Sequence, residues 1–320
     1  MKLITKVTIP GYPFRIDHHS PVLLMGSCFT ENMGRLLERN LFPVCINPYG
    51  VTYNPLSVKK GLEILVRRET YTENDLDHYN DLWFSFDHYT GFSSPDRGEA
   101  LEGINRSFLK AKEFLKSARY LVITWGTAWV YRYNPTGEVV CNCHKIPPDQ
   151  FTRSRLTVDQ TVEEYLNLLP RIWEHNPDLR IIMTVSPVRH WKDGAHNNQL
   201  SKSALLLATD ALISKFPDKI FYFPSYEIVM DELRDYRFFE KDMLHTNALA
   251  TQYIWEIFTD ALLSGKTRKI NQELQSLLKL LEHRPLHTGG EPYRKLIKKR
   301  DNKLGEMKEK YPFLAWDNLK

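Results

Sequence analysis

Two rhythms of apolar and polar positions alternate along this chain. Short continuous apolar runs, rich in β-branched and aromatic residues, occur at 22–25, 44–46, 121–125, 181–185 and 220–223, each ending near a turn signal. Runs this short predict buried strands. Between them, apolar residues recur at helical spacing over 31–41, 56–68, 104–117, 158–175 and 201–216; in the last, Leu205, Leu206, Ala208, Leu212 and Ile213 form one face. Such alternation predicts an α/β fold, a three-layer α/β/α sandwich around a mainly parallel five-stranded sheet with right-handed crossovers. A site in such a sheet lies beyond the carboxyl ends of the strands.

Two stretches break the rhythm, 70–99 and 131–155. Both are rich in aromatic, polar and turn-forming residues and too long for simple connections, so they are expected as insertions bordering the site. A final core helix is expected over 248–263, ended by Ser264-Gly265, after which 273–283 and 293–310 read as charged helices. The expected organisation is a catalytic domain over 1–265 and a basic, mostly helical extension over 266–320.

Composition supports one elaborated domain: 320 residues, 42% hydrophobic and 26% charged, are ordinary globular values with enough apolar material for a core. No apolar run in the first thirty residues reaches signal-peptide length, and none later approaches a membrane span, so a soluble, cytoplasmic protein is expected. The four cysteines do not resemble a disulfide framework, which fits a reducing compartment. The net charge of +4 is uneven, because residues 266–320 hold 14 Lys/Arg against 7 Asp/Glu. Lys298-Lys299-Arg300 is short and lies among acidic residues, so it reads as a solvated helical face, and no nucleic-acid partner is expected.

The first chemical candidate is Gly26-Ser27-Cys28, at the junction where the first strand ends and a helix begins. Such a junction points a side chain toward the free amides and positive end of the helix, which favours a nucleophile. Its bland counterpart is a serine that caps the helix behind a turning glycine. The second is Asp242-Met243-Leu244-His245, whose spacing lets the carboxylate hold the imidazole while the other ring nitrogen accepts a serine proton. Cys28 is an alternative, thiol nucleophile. Successive side chains at a strand end point opposite ways, so only one of the pair is expected to face the site.

In order along the chain, Gly26-Ser27-Cys28-Phe29, Asn47-Pro48-Tyr49-Gly50, Trp125-Gly126-Thr127-Ala128-Trp129, Ser186-Pro187-Val188-Arg189-His190 and Asp242-Met243-Leu244-His245 resemble the GSCFA family of bacterial proteins, over roughly residues 6–260. That family is similar to the SGNH, or GDSL-like, hydrolases. The resemblance implies a flavodoxin-like sandwich and ester hydrolysis or acyl transfer, with Ser27 as nucleophile and Asp242 and His245 as its base system. It also implies an oxyanion hole from the Ser27 amide, a glycine best matched by Gly50, and an asparagine after the third strand. This chain departs at the last position, where Gly126-Thr127-Ala128 stands; Thr127, Asn142 or Asn47 could supply the missing donor.

Other residues are candidates for substrate contact. Arg189 and His190 follow the fourth strand at the correct rim for a carboxylate, a sulfate or a sugar hydroxyl, although Arg189 could instead pair with Asp193. His144 lies in Cys141-Asn142-Cys143-His144, whose crowded spacing argues against zinc, so no metal and no cofactor is expected. Glu227, Asp231 and Arg234 read as a local ion-pair face. Tyr79, Trp83, Phe84, Phe86, Tyr89 and Phe92 would suit stacking on sugar rings if exposed, and would otherwise be the core of their insertion. Three functions stay open: a hydrolase of an acyl ester on a carbohydrate or glycoconjugate, a binding protein of the same fold with weak or no chemistry, and a nucleic-acid partner acting through the basic tail.

Overall fold

A computed structural model describes residues 4–283, 285 and 287–319. Its centre is a sheet of five strands, β1 (Val22–Gly26), β2 (Val44–Ile46), β5 (Tyr120–Trp125), β9 (Arg180–Val185) and β10 (Ile220–Tyr222), in the order β10-β9-β5-β1-β2. Every neighbouring pair is parallel. Counted among these strands alone, the order is 2-1-3-4-5, the doubly wound flavodoxin-like arrangement.

Strand periodicity divides the core in two. Leu23 and Met25 of β1 and Leu121 and Ile123 of β5 pack with α2 (Pro55–Arg67), α3 (Arg97–Ser117), α4 (Val158–His175) and α5 (Gly194–Lys215). Val22, Leu24 and Val122 face the other way, onto α1 (Cys28–Arg39) and α7 (Ala248–Leu262). Both faces of the sheet are thus covered, which is why its strands read as unbroken apolar runs.

α3 starts at Arg97, earlier than its apolar stripe over 104–117 suggests, because a polar cap rather than an apolar residue sets its first turn. Asp96 accepts the Glu99 amide at 2.8 Å ahead of α3. Ser264, expected to end a helix, instead caps α8 (Gly265–Glu282), its hydroxyl accepting the Thr267 amide at 3.1 Å. With α9 (Gly290–Lys310), α8 packs Ile270, Leu274, Leu277 and Met307 around Leu41, in the turn from α1 to β2. The extension therefore has an apolar face against the sandwich as well as a charged one. Among the described residues no helix is long and apolar enough to cross a membrane.

The two insertions contain small antiparallel sheets. In the first, β3 (Asp77–Tyr79) and β4 (Leu82–Phe84) form a hairpin whose turn residues Asn80 and Asp81 both have positive φ, as a type I′ turn requires. The second forms a sheet in which β6 (Trp129–Tyr133) lies between β7 (Val139–Val140) and β8 (Phe151–Arg155). The aromatics of the first insertion mostly serve as core: Phe84 stacks on His144 at 4.1 Å, Phe86 on Tyr133 at 4.8 Å, and His88 sits among Tyr49, Tyr71 and Phe92.

Gly26 fixes the approach of β1 to β5. Its φ is +143°, and a Cβ there would lie 2.2 Å from the Thr124 carbonyl oxygen. Gly26→Ala should cost about 3 kcal/mol or more of folding free energy, or abolish soluble expression. A urea unfolding curve indistinguishable from wild type would disprove this account of the junction.

His88 is fully buried, both ring nitrogens lack a partner among the described residues, and burial pushes its pKa down to about 4. The unfolded chain binds its proton near pH 6.5 and the folded chain only near 4, so the stability tied to the neutral ring is intact above pH 6.5 and lost as pH falls toward 4. His88→Phe should match or exceed wild-type stability at pH 7 and should reduce the loss between pH 6.5 and 4 by up to about 3 kcal/mol. Thermal melts at both pH values check both statements.

Candidate active site

Ser27 occupies the single residue between β1 and α1, with extended backbone (φ −70°, ψ 176°). It stands in the N-cap position, yet its side chain caps no amide, and its buried Oγ has no hydrogen-bond partner among the described residues. The capping interpretation of this serine therefore does not hold. Its backbone N–H donates to the Thr124 carbonyl at 3.2 Å, continuing the β1–β5 ladder, so that amide is engaged by the sheet. Cys28 is already the first helical residue and follows helix rather than strand geometry. It is half-buried and lines the same cavity as Ser27, so strand alternation does not hide it. Burial pushes the Cys28 thiol pKa up despite the helix amino terminus, which keeps it protonated.

Asp242 and His245 lie in the loop before α7, where Met243 takes a left-handed conformation (φ 61°) and breaks any helix. Asp242 Oδ1 accepts the backbone amides of Leu244 at 2.9 Å and His245 at 3.0 Å, while Oδ2 accepts the His245 Nδ1 proton at 2.6 Å. The His245 amide, the imidazole and the Leu244 amide hold the carboxyl pKa down to about 2. With Nδ1–H engaged, a neutral His245 presents Nε2 as a proton acceptor.

A cavity of about 600 Å³ opens at the carboxyl ends of β1, β5 and β9, lined by Ser27, Cys28, Thr127, Ser186, His190 and His245, with Asn142 and Arg189 in its wall. Asp242 lines the adjoining groove, to which Arg189 also contributes. Serine and imidazole thus share one cavity without a direct hydrogen bond.

The other sequence candidates separate. The Gly126 and Thr127 amides both donate to the Tyr53 carbonyl, at 2.7 and 2.9 Å, and the Thr127 hydroxyl is tied to Ser201 and the Trp129 amide. Gly126 does not itself line the cavity, although a Cβ on it would lie 3.5 Å from Nε2 of His190, which does. Gly50 is elsewhere: it lines a groove with Glu31 and Tyr89, and its N–H closes a turn onto the Asn47 carbonyl at 2.7 Å. Asn47 lines that same groove, its Oδ1 accepting the Gly26 amide at 2.9 Å. His144 is also outside the cavity, stacked on Phe84 and donating from Nε2 to the Ser85 carbonyl at 3.1 Å, and burial pushes its pKa down to about 4. Asn142 remains at the cavity, its Oδ1 accepting from the Thr90 hydroxyl and the His144 amide. His190 is held near a pKa of 4 by burial first and by Lys202 second, so it is neutral at pH 7. Arg189 does not pair with Asp193, which is buried against Arg153 instead.

Sequence reading missed Lys202. Its ammonium is fully buried and donates to the carbonyls of Gly126 at 2.7 Å and Ser186 at 2.6 Å, joining the tips of β5 and β9. Burial lowers its pKa to about 7. The signal was a lysine three positions before Leu205, on the apolar stripe of α5. Tyr131, Arg153 and Lys192 also line the cavity and come from the second insertion and the loop after β9, where no strong pattern marks them; Trp129, which lines it too, closes the Trp125–Trp129 block.

No curated protein matches the chain. Among solved structures, a carbohydrate esterase family 3 protein from Talaromyces cellulolyticus is similar at 11% sequence identity and a TM-score of 0.34, over 80% of this chain and 99% of that one. The GSCFA family model matches residues 21–258, which span both the serine junction and the Asp242–His245 loop. The chain belongs to the GSCFA family.

Proposed function

We propose that the protein is a serine hydrolase that cleaves an acyl ester, or transfers its acyl group, with Ser27 as nucleophile, His245 as general base and Asp242 as the residue that orients His245. One observation carries the reading: an unpartnered, uncapped serine at a strand-to-helix junction opens into the same cavity as an imidazole whose Nδ1 is fixed by a carboxylate. A buried hydroxyl without a partner is costly in a core and useful in a catalytic site.

In this reading Ser27 Oγ attacks the ester carbonyl as His245 Nε2 takes its proton, and the same imidazole returns the proton to the departing alcohol. The oxyanion donors differ from those the resemblance implies, because the Ser27 amide, the Thr127 hydroxyl and the Gly50 amide are all engaged. The amides of Cys28 and Phe29, in the first turn of α1, have no acceptor within the helix and carry its positive end. With the Asn142 side-chain amide they are the available replacements. The cavity volume suits a monosaccharide-sized acyl carrier, and Trp129, Tyr131 and Phe151 give it aromatic walls.

The engaged Gly50 amide and Thr127 hydroxyl favour a second reading, a binding protein of this fold without efficient turnover. Labelling with a fluorophosphonate ester, followed by peptide mapping, separates the two. Wild type should be modified at Ser27. Ser27→Ala and His245→Ala should each lose labelling and reduce ester turnover by about 1000-fold or more while remaining folded. Cys28→Ala should keep both. Labelling that survives in Ser27→Ala would remove the nucleophile assignment, and a folded wild type that takes no label would support the binding reading.

A further inference from the structure

The cavity has more cations than anions. Among the described residues no Asp or Glu lines it, whereas Arg153, Arg189 and Lys192 do. Arg153 is neutralised by its ion pair with buried Asp193. Arg189 and Lys192 have no ion-pair partner among the described residues. Arg189 makes one long contact of 3.5 Å to the Ala195 carbonyl, and Lys192 donates to the Tyr131 hydroxyl at 3.1 Å. The Nε–H groups of Arg189 and Arg153 and the indole N–H of Trp129 are buried without an acceptor.

Neighbouring carboxylates do not correct this imbalance. Asp242 is engaged by His245, and Glu31 pairs with Arg35 along α1. Behind the cavity, Lys202 adds no acceptor either, because its amine donates to the Gly126 and Ser186 carbonyls. Buried N–H donors, the unpaired Arg189 guanidinium and the unpaired Lys192 ammonium in one concave wall favour a ligand that supplies oxygen acceptors and negative charge.

We propose that the acyl carrier bears a fixed oxyanion group, a carboxylate, sulfate or phosphate, held by Arg189 and Lys192 at the rim of the cavity that Ser27 and His245 share. Arg189 supplies the planar fork that matches such a group, and Lys192, which is exposed, adds a mobile point charge. Arg153 is a positioning residue, held over Trp129 at 4.3 Å and Tyr131 at 5.3 Å by Asp193, so it shapes the wall and leaves the anion to the other two. The inference rests on the reading of this cavity as the seat of an acyl ester on a sugar-sized carrier.

The test is calorimetric titration of the full chain with four probes: neutral methyl glucoside, and the anionic methyl glucuronoside, glucose 6-sulfate and glucose 6-phosphate. At least one anionic probe should bind roughly tenfold or more tighter than the neutral sugar, and its affinity should fall as salt is raised. The ranking of the three distinguishes carboxylate, sulfate and phosphate. Arg189→Gln and Lys192→Gln should each reduce the anionic-to-neutral preference several-fold, with unchanged thermal melts showing that both variants are folded. Equal binding of all probes, no binding of any anionic probe at millimolar concentration, or a preference that survives both substitutions would overturn the proposal. Titration needs no turnover, and the neutral fluorophosphonate probe needs no anion, so failure here and failure of the hydrolase assignment are read separately.

Discussion

The close contact between the ends of β1 and β5 is the constraint on which the candidate site depends. Gly26 lets the two backbones approach where any side chain would strike the Thr124 carbonyl, and the Ser27 amide then closes the last rung of the ladder onto that same oxygen. Because the ladder ends there, the chain turns at once into α1 and leaves Ser27 between strand and helix. A serine one residue later would belong to the helix, and one residue earlier would be locked in the sheet.

Lys202 acts at the neighbouring strand tips. A buried ammonium is expensive, and burial lowers its pKa to about 7, yet its two carbonyl acceptors belong to Gly126 and Ser186, the residues directly after β5 and β9. One side chain thereby ties together the two strand ends at which the cavity opens. The Asp242 loop contributes a negative charge at the rim. There the carboxylate is satisfied by two amides and an imidazole, so its charge serves to orient His245 and does not spread into the cavity.

The insertions divide their work. The first is mainly a support, packing Phe84 on His144 and holding Asn142 through the Thr90 hydroxyl. The second reaches the cavity with Tyr131, Phe151 and Arg153. Aromatic residues at similar density therefore have different fates, core in one insertion and wall in the other. Which fate applies is set by whether a neighbouring layer covers the ring.

The sequence by itself determined the layers. Apolar runs of strand length separated by helical stripes leave few alternatives to a covered parallel sheet, and Ser27 at a strand–helix boundary with Asp242 and His245 three apart marked the candidate chemistry, because these signals are local and periodic. Tertiary structure alone decided which donors are free. Gly50 and the Thr127 hydroxyl are suitable groups by composition, but one closes a turn and the other joins Ser201, partners distant in sequence or invisible to any periodic pattern. His144 became a core ring, Lys202 became a tie between two strand ends, and Arg189 was left unpaired because Arg153 took Asp193. Hydrogen-bond and ion-pair partners are chosen by proximity in space, and only the packed fold fixes that.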